Sequence, residues 1–237
     1  MFEKHILITR PREDSEAVAD QLDARGFKGF IEPMLTINPL MAPMPDFNEY
    51  GGFIFTSVNA VRVLPEAALR KIPPILPVYA LAPHTSAELS DYLMDVRAVE
   101  GTGKDLEKQI HEDFKSHKVD SENPLLHFCG TDIARPIEIE GLKIEQFPVY
   151  EALKAQEFSE DCLKMIEKNA FEAVLFFSAR TAETFVELAR KHECEDAFSK
   201  TKALCLGDSM VKSVRALAWQ DVQVAASPDR ESLFKLL

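Results

Sequence analysis

A pattern that occurs twice in the sequence restricts the fold more than any other feature. The first copy is FIFTSVNAVRVL at 53–64, and the second is VLFFSARTAETF at 174–185, about half the chain further on. In both copies an apolar run ends in a hydroxyl residue, and apolar positions at helical spacing follow. The pattern predicts a buried strand, a short polar turn and a helix, and its recurrence predicts a repeated architecture.

Three further pairs of segments occur at a similar offset and in the same order. They are 77–89 with 202–214, 6–11 with 125–130, and 33–37 with 148–152. Short strands followed by helices look alike, so a single pair can arise by chance, but four pairs in one order argue against chance. The 237 residues are therefore expected to form an α/β protein with two similar lobes, each a parallel sheet flanked by helices.

The residues between the repeats predict how the lobes are connected. Segment 38–46 carries Pro39, Pro43 and Pro45, which neither a helix interior nor a central strand accommodates. It is predicted to be a linker, and the alternative is a surface loop within one domain. The polar segment 152–159 is the predicted return linker, so that the lobes are joined twice.

Two crossings between the lobes predict that the first lobe is discontinuous. Lobe 1 is expected to comprise 1–37 and 160–237, and lobe 2, which is inserted into it, 47–151. Two lobes joined twice favour a cleft with a hinge, and clefts between domains commonly bind small ligands. Within lobe 2, the spacing of the apolar residues also predicts a helix near Ala134–Glu140, before a strand at Lys143–Tyr150.

The net charge of −12 restricts the classes of ligand. So acidic a chain is not expected to bind nucleic acids or anionic membranes in general. It can still bind a small anion, because backbone N–H groups at helix starts and a few arginines create a local positive site.

The cysteines and the N-terminal residues predict a cytoplasmic protein. The four cysteines include no CxxC pair, and free thiols in a reducing compartment are the expected state. The chain starts directly with a predicted strand rather than a signal peptide, and no apolar run approaches the roughly 20 residues needed to cross a bilayer. No long amphipathic segment is left over, so a monomer is expected; a dimer mass in light scattering would contradict this.

Small and polar residues follow each predicted strand. Ligands of a parallel α/β sheet gather at the carboxyl ends of its strands, where such residues leave backbone N–H groups open to an anion. The candidate positions are Thr9, Arg10, Thr56, Ser57, Asn59, Thr85, Gly130, Tyr150, Ser178, Arg180, Gly207 and Ser209. The alternative for the hydroxyl and amide side chains is that they cap helices and bind no ligand.

The usual catalytic motifs are missing from the sequence. There is no GxSxG, P-loop, GxGxxG or HExxH motif, and the six histidines do not have the spacing of metal ligands, so no metal site is expected. A site lined with amides and hydroxyls is suited to an intrinsically reactive substrate. Binding and orientation would then supply most of the catalysis.

Several short segments together resemble the uroporphyrinogen-III synthase family. In chain order they are ITRP at 8–11, FTSVNAV at 55–61, APHTSA at 82–87, PVYE at 148–151, FFS at 176–178 and LGDS at 206–209. Each segment alone is a weak signal, but their order and spacing cover essentially the whole chain. The resemblance implies two α/β lobes joined by a two-stranded linker.

The resemblance also implies a reaction. This family closes the linear tetrapyrrole hydroxymethylbilane into uroporphyrinogen III, with loss of water and inversion of the last pyrrole ring, and needs neither cofactor nor metal. The pyrrole nitrogen expels the hydroxyl to give an azafulvene, and a spiro intermediate is the usual proposal for the inversion. Because the substrate also closes unaided to the uninverted isomer, the enzyme must impose one geometry on it. The resemblance leaves open a transient partnership with hydroxymethylbilane synthase.

The resemblance assigns roles to individual residues. Tyr150 matches the tyrosine of the family's V-Y-E motif and is expected to assist loss of the hydroxyl, as a hydrogen-bond donor or general acid; the alternative is a tyrosine packed at the hinge. Arg10, Arg135 and Arg180 are expected to meet some of the substrate's eight carboxylates, unless they are solvated surface residues. Thr85 matches the family's threonine after a G-x-x pattern, and hydroxyl positions of the family that face the cleft are matched by Thr56, Ser57, Ser178 and Ser209.

The chain departs from the family pattern at two positions. Ala82 stands where a glycine is usual, and Asp208 stands where a neutral residue is common, although an acid is unfavourable beside a polyanion. Two other functions therefore remain as alternatives: a non-catalytic ligand binder with two lobes, and a relative of the family that serves as an interaction module.

Overall fold

The computed structural model describes residues 5–92, 95–119, 122–133 and 135–237. The chain divides into two compact units. The terminal unit comprises the chain up to Thr36 together with Leu153–Leu237, and the middle unit comprises Ile37–Ala152. None of the helices described has the length and apolar character that a membrane span requires.

The regular elements alternate between strands and helices along the chain. The strands are β1 (His5–Ile8), β2 (Lys28–Ile31), β3 (Leu35–Pro39), β4 (Gly52–Phe55), β5 (Val78–Leu81), β6 (Val96–Val99), β7 (Leu125–Gly130), β8 (Ile144–Lys154), β9 (Phe171–Phe176), β10 (Lys202–Cys205) and β11 (Asp221–Val224). The α-helices are α1 (Arg12–Asp23), α2 (Val58–Val63), α3 (Glu66–Leu69), α4 (His84–Ser90), α5 (Gly103–Lys115), α6 (Glu160–Glu167), α7 (Ala179–Lys191), α8 (Val211–Val214) and α9 (Arg230–Phe234). Short 3-10 helices occupy Phe47–Glu49, Glu195–Phe198 and Asp208–Met210.

Successive strands follow the same spatial order in the two sheets. The terminal unit has the order β11-β10-β9-β1-β2, and the six-stranded sheet has the order β3-β8-β7-β4-β5-β6. Every strand pair with a described register is parallel. Strands β9, β10 and β11 take the places of β4, β5 and β6, and β1 and β2 take those of β7 and β8. The repeat in the sequence is therefore β4–α2 and β9–α7, and the predicted fold class is confirmed.

Strands β3 and β8 carry the chain from one unit to the other. The unit boundary falls between Thr36 and Ile37 on β3, and between Ala152 and Leu153 on β8. The predicted linkers, 38–46 and 152–159, overlap the carboxyl ends of these two strands.

Strand β9 shows how a sheet is buried on both faces in the terminal unit. Val174 and Phe176 belong to the same apolar cluster as Phe185 of α7. Leu175, whose side chain points to the opposite face, belongs to the cluster of Val18 on α1. Helices therefore cover both faces, which explains the nearly continuous apolar strands in the sequence.

The middle unit is layered in the same way around β4. Phe53 and Phe55 join the apolar cluster of Val61 on α2, while Ile54 joins the cluster of Ile110 on α5. Since β4 is buried throughout, the change to polar residues after Phe55 marks the point where the chain leaves the core.

The helix predicted near Ala134–Glu140 is not found, and this prediction is wrong for residues 135–140; Ala134 lies outside the described residues. Ile137 and Ile139 are both buried in the cluster that covers α5, which is the two-residue spacing of an extended chain. Arg135 donates to Glu107 of α5 at 2.7 Å, and the Glu138 N–H donates to the same carboxylate. These contacts hold the segment extended along α5.

A buried polar network connects α5 to the six-stranded sheet. The Asp113 side chain is 5% exposed, and its carboxylate accepts hydrogen bonds from Tyr79 at 2.9 Å, Arg97 at 2.8 Å and Lys118 at 3.3 Å. Burial alone would raise the pKa of Asp113, but these hydrogen bonds outweigh burial and hold the pKa below its ordinary value. The carboxylate therefore stays charged while α5 is packed.

Replacing Asp113 by alanine is expected to lower the free energy of unfolding by about 3 kcal/mol, because the buried Tyr79 hydroxyl and the partly buried Arg97 guanidinium lose their acceptor. Urea unfolding measures the change. The control is Glu112→Ala, on the exposed side of the same helix turn, where the carboxylate lies 4.0 Å from Lys108 and is 58% exposed. Equal effects of the two substitutions would contradict a structural role for the network.

Candidate active site

Each sheet has one position where its winding reverses, which means that successive strands are added in opposite directions on the two sides of that position. In the six-stranded sheet it lies between β4 and β7, and in the terminal unit between β9 and β1. Loops at the carboxyl ends of two such strands lead away in opposite directions and leave a crevice in which ligands of α/β proteins bind. Of the candidate residues, Thr56 and Gly130 lie at the first of these positions, and Thr9 and Arg10 lie at the second.

Tyr150 lies against Gly130 at the carboxyl edge of the middle unit. The two residues are paired in the register of β7 and β8, and the Thr131 N–H donates to the Tyr150 carbonyl at 3.0 Å. A Cβ atom on residue 130 would lie 2.8 Å from Cζ of Tyr150 and 3.1 Å from its hydroxyl oxygen. The tyrosine ring thus occupies the space that only a glycine leaves open.

The Tyr150 ring is partly buried, and it packs against the apolar cluster that contains Phe128 and Val149. Its hydroxyl forms no hydrogen bond with any other residue that the structure describes. The expected catalytic residue is therefore positioned by packing on its ring, while its hydroxyl remains available to a ligand as a donor.

Thr56 forms a hydrogen bond with a histidine that sequence reasoning missed. Oγ1 of Thr56 lies 3.0 Å from Nε2 of His127, which is only 1% exposed in the middle of β7. Burial lowers the pKa of His127 to about 4, so the ring is neutral at neutral pH. The available signal was a single histidine in the apolar run LLHFCG, on a strand paired with the one that precedes Thr56.

The other candidates of the middle unit have mainly local roles. Ser57 caps α2, because its hydroxyl accepts from the Asn59 N–H at 3.2 Å, and Asn59 itself is half-buried in the first turn. Thr85 is 5% exposed in the first turn of α4. Arg135 pairs with Glu107 in the segment that lies along α5.

Arg10 is held at the carboxyl edge of the terminal unit. Its Nη2 donates to Asp14 at 2.7 Å, and its guanidinium lies 4.8 Å from the centre of the Phe177 ring. Thr9, the residue before it, is fully buried and donates to the Leu175 carbonyl at 2.7 Å, which connects β1 to β9. The structure thus brings the ends of these two strands together but turns the Thr9 hydroxyl into the sheet.

Ser178 follows β9 and caps α7, since its hydroxyl accepts from the Thr181 N–H at 3.2 Å. Arg180 is half-buried in the first turn of the same helix. After β10, Gly207 has extended backbone with φ −166°, and a Cβ atom there would meet only Met210, at 3.9 Å. Ser209 is exposed in the 3-10 helix that follows.

The middle unit also has cavities at the opposite, amino-terminal edge of its sheet. One of about 740 Å³ is lined by Tyr50, Ile75, Phe114, Lys118 and Asn123, which precede strands or end α5. None of the candidate residues lines it. Within the described ranges, no three His, Cys, Asp or Glu side chains are grouped so that they could hold a metal ion.

A chain with two units of this kind, each a mainly parallel sheet flanked by helices, has the architecture of a two-domain α/β protein. The family model described as uroporphyrinogen-III synthase HemD matches residues 16–235. The chain therefore belongs to the uroporphyrinogen-III synthase family, which is named for an enzyme of tetrapyrrole synthesis.

Solved structures of uroporphyrinogen III synthase from Thermus thermophilus are similar to this chain. A selenomethionine derivative of a mutant is 15% identical, with a TM-score of 0.49 over 98% of this chain and 95% of that chain. A second structure, described only as Thermus thermophilus uroporphyrinogen III synthase, is 17% identical, with a TM-score of 0.36 over 98% and 97%. A search of curated proteins found no match.

Gly130→Ala is expected to displace the Tyr150 ring and to lower the free energy of unfolding by about 1–3 kcal/mol, because the new methyl group overpacks the site. Urea unfolding and a crystal structure of the variant measure the two effects. The control is Gly103→Ala at the start of α5, where a Cβ atom meets nothing within 4 Å. An unmoved Tyr150 ring in Gly130→Ala would contradict the described contact.

The neutral His127 ring is expected to make stability depend on pH. Between the ordinary histidine pKa of 6.5 and the folded value of about 4, the unfolded chain binds a proton that the folded chain does not, so stability falls as pH falls. From pH 7.5 to pH 5 the loss due to this residue is about 2 kcal/mol. Urea unfolding of the wild type and of His127→Gln at both pH values isolates it; identical pH dependence would show that His127 is not buried as a neutral ring.

Proposed function

We propose that this protein is a uroporphyrinogen-III synthase that converts hydroxymethylbilane into uroporphyrinogen III, as a cyclising hydro-lyase. The observation that carries the proposal is the Tyr150 hydroxyl, which has no partner among the described residues, in a chain that matches the family over 16–235. The Tyr150 ring lies over Gly130, whose strand β7 borders the reversal in the strand order. A phenol held in this way can donate a proton or a hydrogen bond to a leaving hydroxyl.

The proposed reaction begins with loss of the substrate's hydroxyl. Electrons from the pyrrole nitrogen expel the oxygen, which takes a proton from Tyr150 and leaves as water. The resulting azafulvene is attacked within the same molecule, and a spiro intermediate allows the last ring to invert before the macrocycle closes. The proton released at closure returns to the phenolate, so the net change is loss of one water molecule.

Orientation is the second part of the proposed mechanism. Hydroxymethylbilane closes unaided to the uninverted ring, so the protein must favour one arrangement of the chain over another. Arg10, Arg180 and Arg135 are proposed to bind carboxylates. The proposed hydrogen-bonding positions of the middle unit are Thr56, Ser57, Asn59, Thr85 and Gly130, and those of the terminal unit are Thr9, Ser178, Gly207 and Ser209.

The isomer formed from hydroxymethylbilane tests this proposal. Purified protein is expected to yield mainly the type III isomer, and Tyr150→Phe is expected to lower kcat about 100-fold, so that the unaided type I product dominates. The control is Tyr50→Phe, whose hydroxyl hydrogen-bonds Glu145 at 3.2 Å beside the amino end of the same sheet. Only type I product with the wild type would indicate a binder instead, and full activity of Tyr150→Phe would remove Tyr150 from the mechanism.

A further inference from the structure

His127 is a buried polar residue whose role the fold does not explain. It pairs with Ile54 in the register of β7 and β4. The equivalent pair in the terminal unit, at the same place in the same winding, is Ile8 with Leu175. An isoleucine at this position is therefore compatible with the fold, so the fold does not explain why the middle unit has a histidine there.

Thr56 differs from its counterpart in the same way. The residue that follows β9 and corresponds to Thr56 is Phe177, as the alignment of FIFTS at 53–57 with VLFFS at 174–178 indicates. Both members of the Thr56–His127 hydrogen bond are thus apolar in the other unit. A polar pair that the fold does not require, at a reversal of winding, points to a ligand.

The two ring nitrogens of His127 have different surroundings. Nε2 lies 3.0 Å from Thr56 Oγ1, while Nδ1 is buried and has no partner among the described residues. If the proton were on Nδ1, an N–H donor would be buried without an acceptor, and orphaned buried N–H groups are rare because they cost the full desolvation of the donor. A proton on Nε2 instead makes a hydrogen bond to Thr56 and leaves only a lone pair on Nδ1.

The position of this proton determines whether the Thr56 hydroxyl can donate a hydrogen bond to a ligand. A threonine hydroxyl has one proton to donate and two lone pairs. When Nε2–H donates to Oγ1, the hydroxyl proton is free, and Thr56 is partly exposed where the chain leaves β4. In the other tautomer the hydroxyl would give its proton to the ring and present only lone pairs, which repel a carboxylate.

We propose that His127 is a positioning residue: its Nε2–H group donates to Thr56 Oγ1, so that the Thr56 hydroxyl donates to a carboxylate oxygen of the bound tetrapyrrole. The role of the ligand rests on the proposed function, whereas the position of the proton does not. Thr56 touches the substrate, and His127 acts only through Thr56.

Nitrogen-15 chemical shifts of the His127 ring test the position of the proton without substrate. The wild-type protein labelled at histidine, with His127→Gln to assign the signal, is expected to show a neutral ring protonated on Nε2. A neutral ring protonated on Nδ1 would overturn the proposal. This readout is independent of activity, so it remains decisive even if the protein does not convert hydroxymethylbilane, a result that would refute the proposed function separately.

A double-mutant cycle tests whether His127 affects substrate binding only through Thr56. Thr56→Val and His127→Ile, the latter introducing the residue of the terminal unit, are each expected to raise KM for hydroxymethylbilane about tenfold with little change in kcat, because one hydrogen bond to a charged group is lost. The double variant is expected to be no worse than either single one. His127→Gln, which retains a donor, is expected to restore KM to within about threefold of the wild type.

Losses that multiply in the double variant would show that His127 acts independently of Thr56, and would overturn the proposal. The same holds if His127→Gln is as impaired as His127→Ile, since the donor would then be irrelevant. Thermal unfolding of each variant identifies any loss of activity that comes from a smaller folded fraction.

Discussion

Two parallel strand pairings, β4 with β7 and β9 with β1, determine where each unit can carry chemistry. Each joins strands whose following loops lead away in opposite directions, which is the position where ligands of α/β proteins commonly bind. The central strands are buried on both faces, so most of the polar candidate side chains lie after them, and His127 within β7 is an exception. The position of Arg10 beside Phe177 follows from the pairing of β9 with β1, whereas the position of Tyr150 over Gly130 follows from the neighbouring pairing of β7 with β8.

The two units have the same winding but different chemistry at equivalent positions. Where the middle unit has Thr56 bonded to His127, the terminal unit has Phe177 and Ile8, and the guanidinium of Arg10 lies over the Phe177 ring. The position that carries a polar pair in the middle unit is thus apolar in the terminal unit, where a guanidinium lies beside it.

The repeat could be predicted from the sequence because each strand is a continuous apolar run that ends in a polar residue. The segment 135–140 could not, because its extended shape depends on contacts with Glu107 of α5, which local spacing does not reveal. Hydroxyl residues were equally ambiguous: Ser57 and Ser178 cap helices, whereas Thr9 donates to Leu175. Only the register of the strands distinguishes these roles, and it also brings His127 beside Thr56.

The pairing of charges at the site bears on how an acidic protein can bind a polyanion. Arg10 pairs with Asp14, and Arg135 with Glu107, so part of their positive charge is already compensated. Neutral donors such as the hydroxyls of Tyr150 and Thr56 bind oxygen atoms through direction rather than net charge. In the proposed reaction the competing process is unaided closure of the same substrate, so a preference for one geometry would matter more than affinity. About 1.4 kcal/mol between two arrangements already gives a tenfold bias.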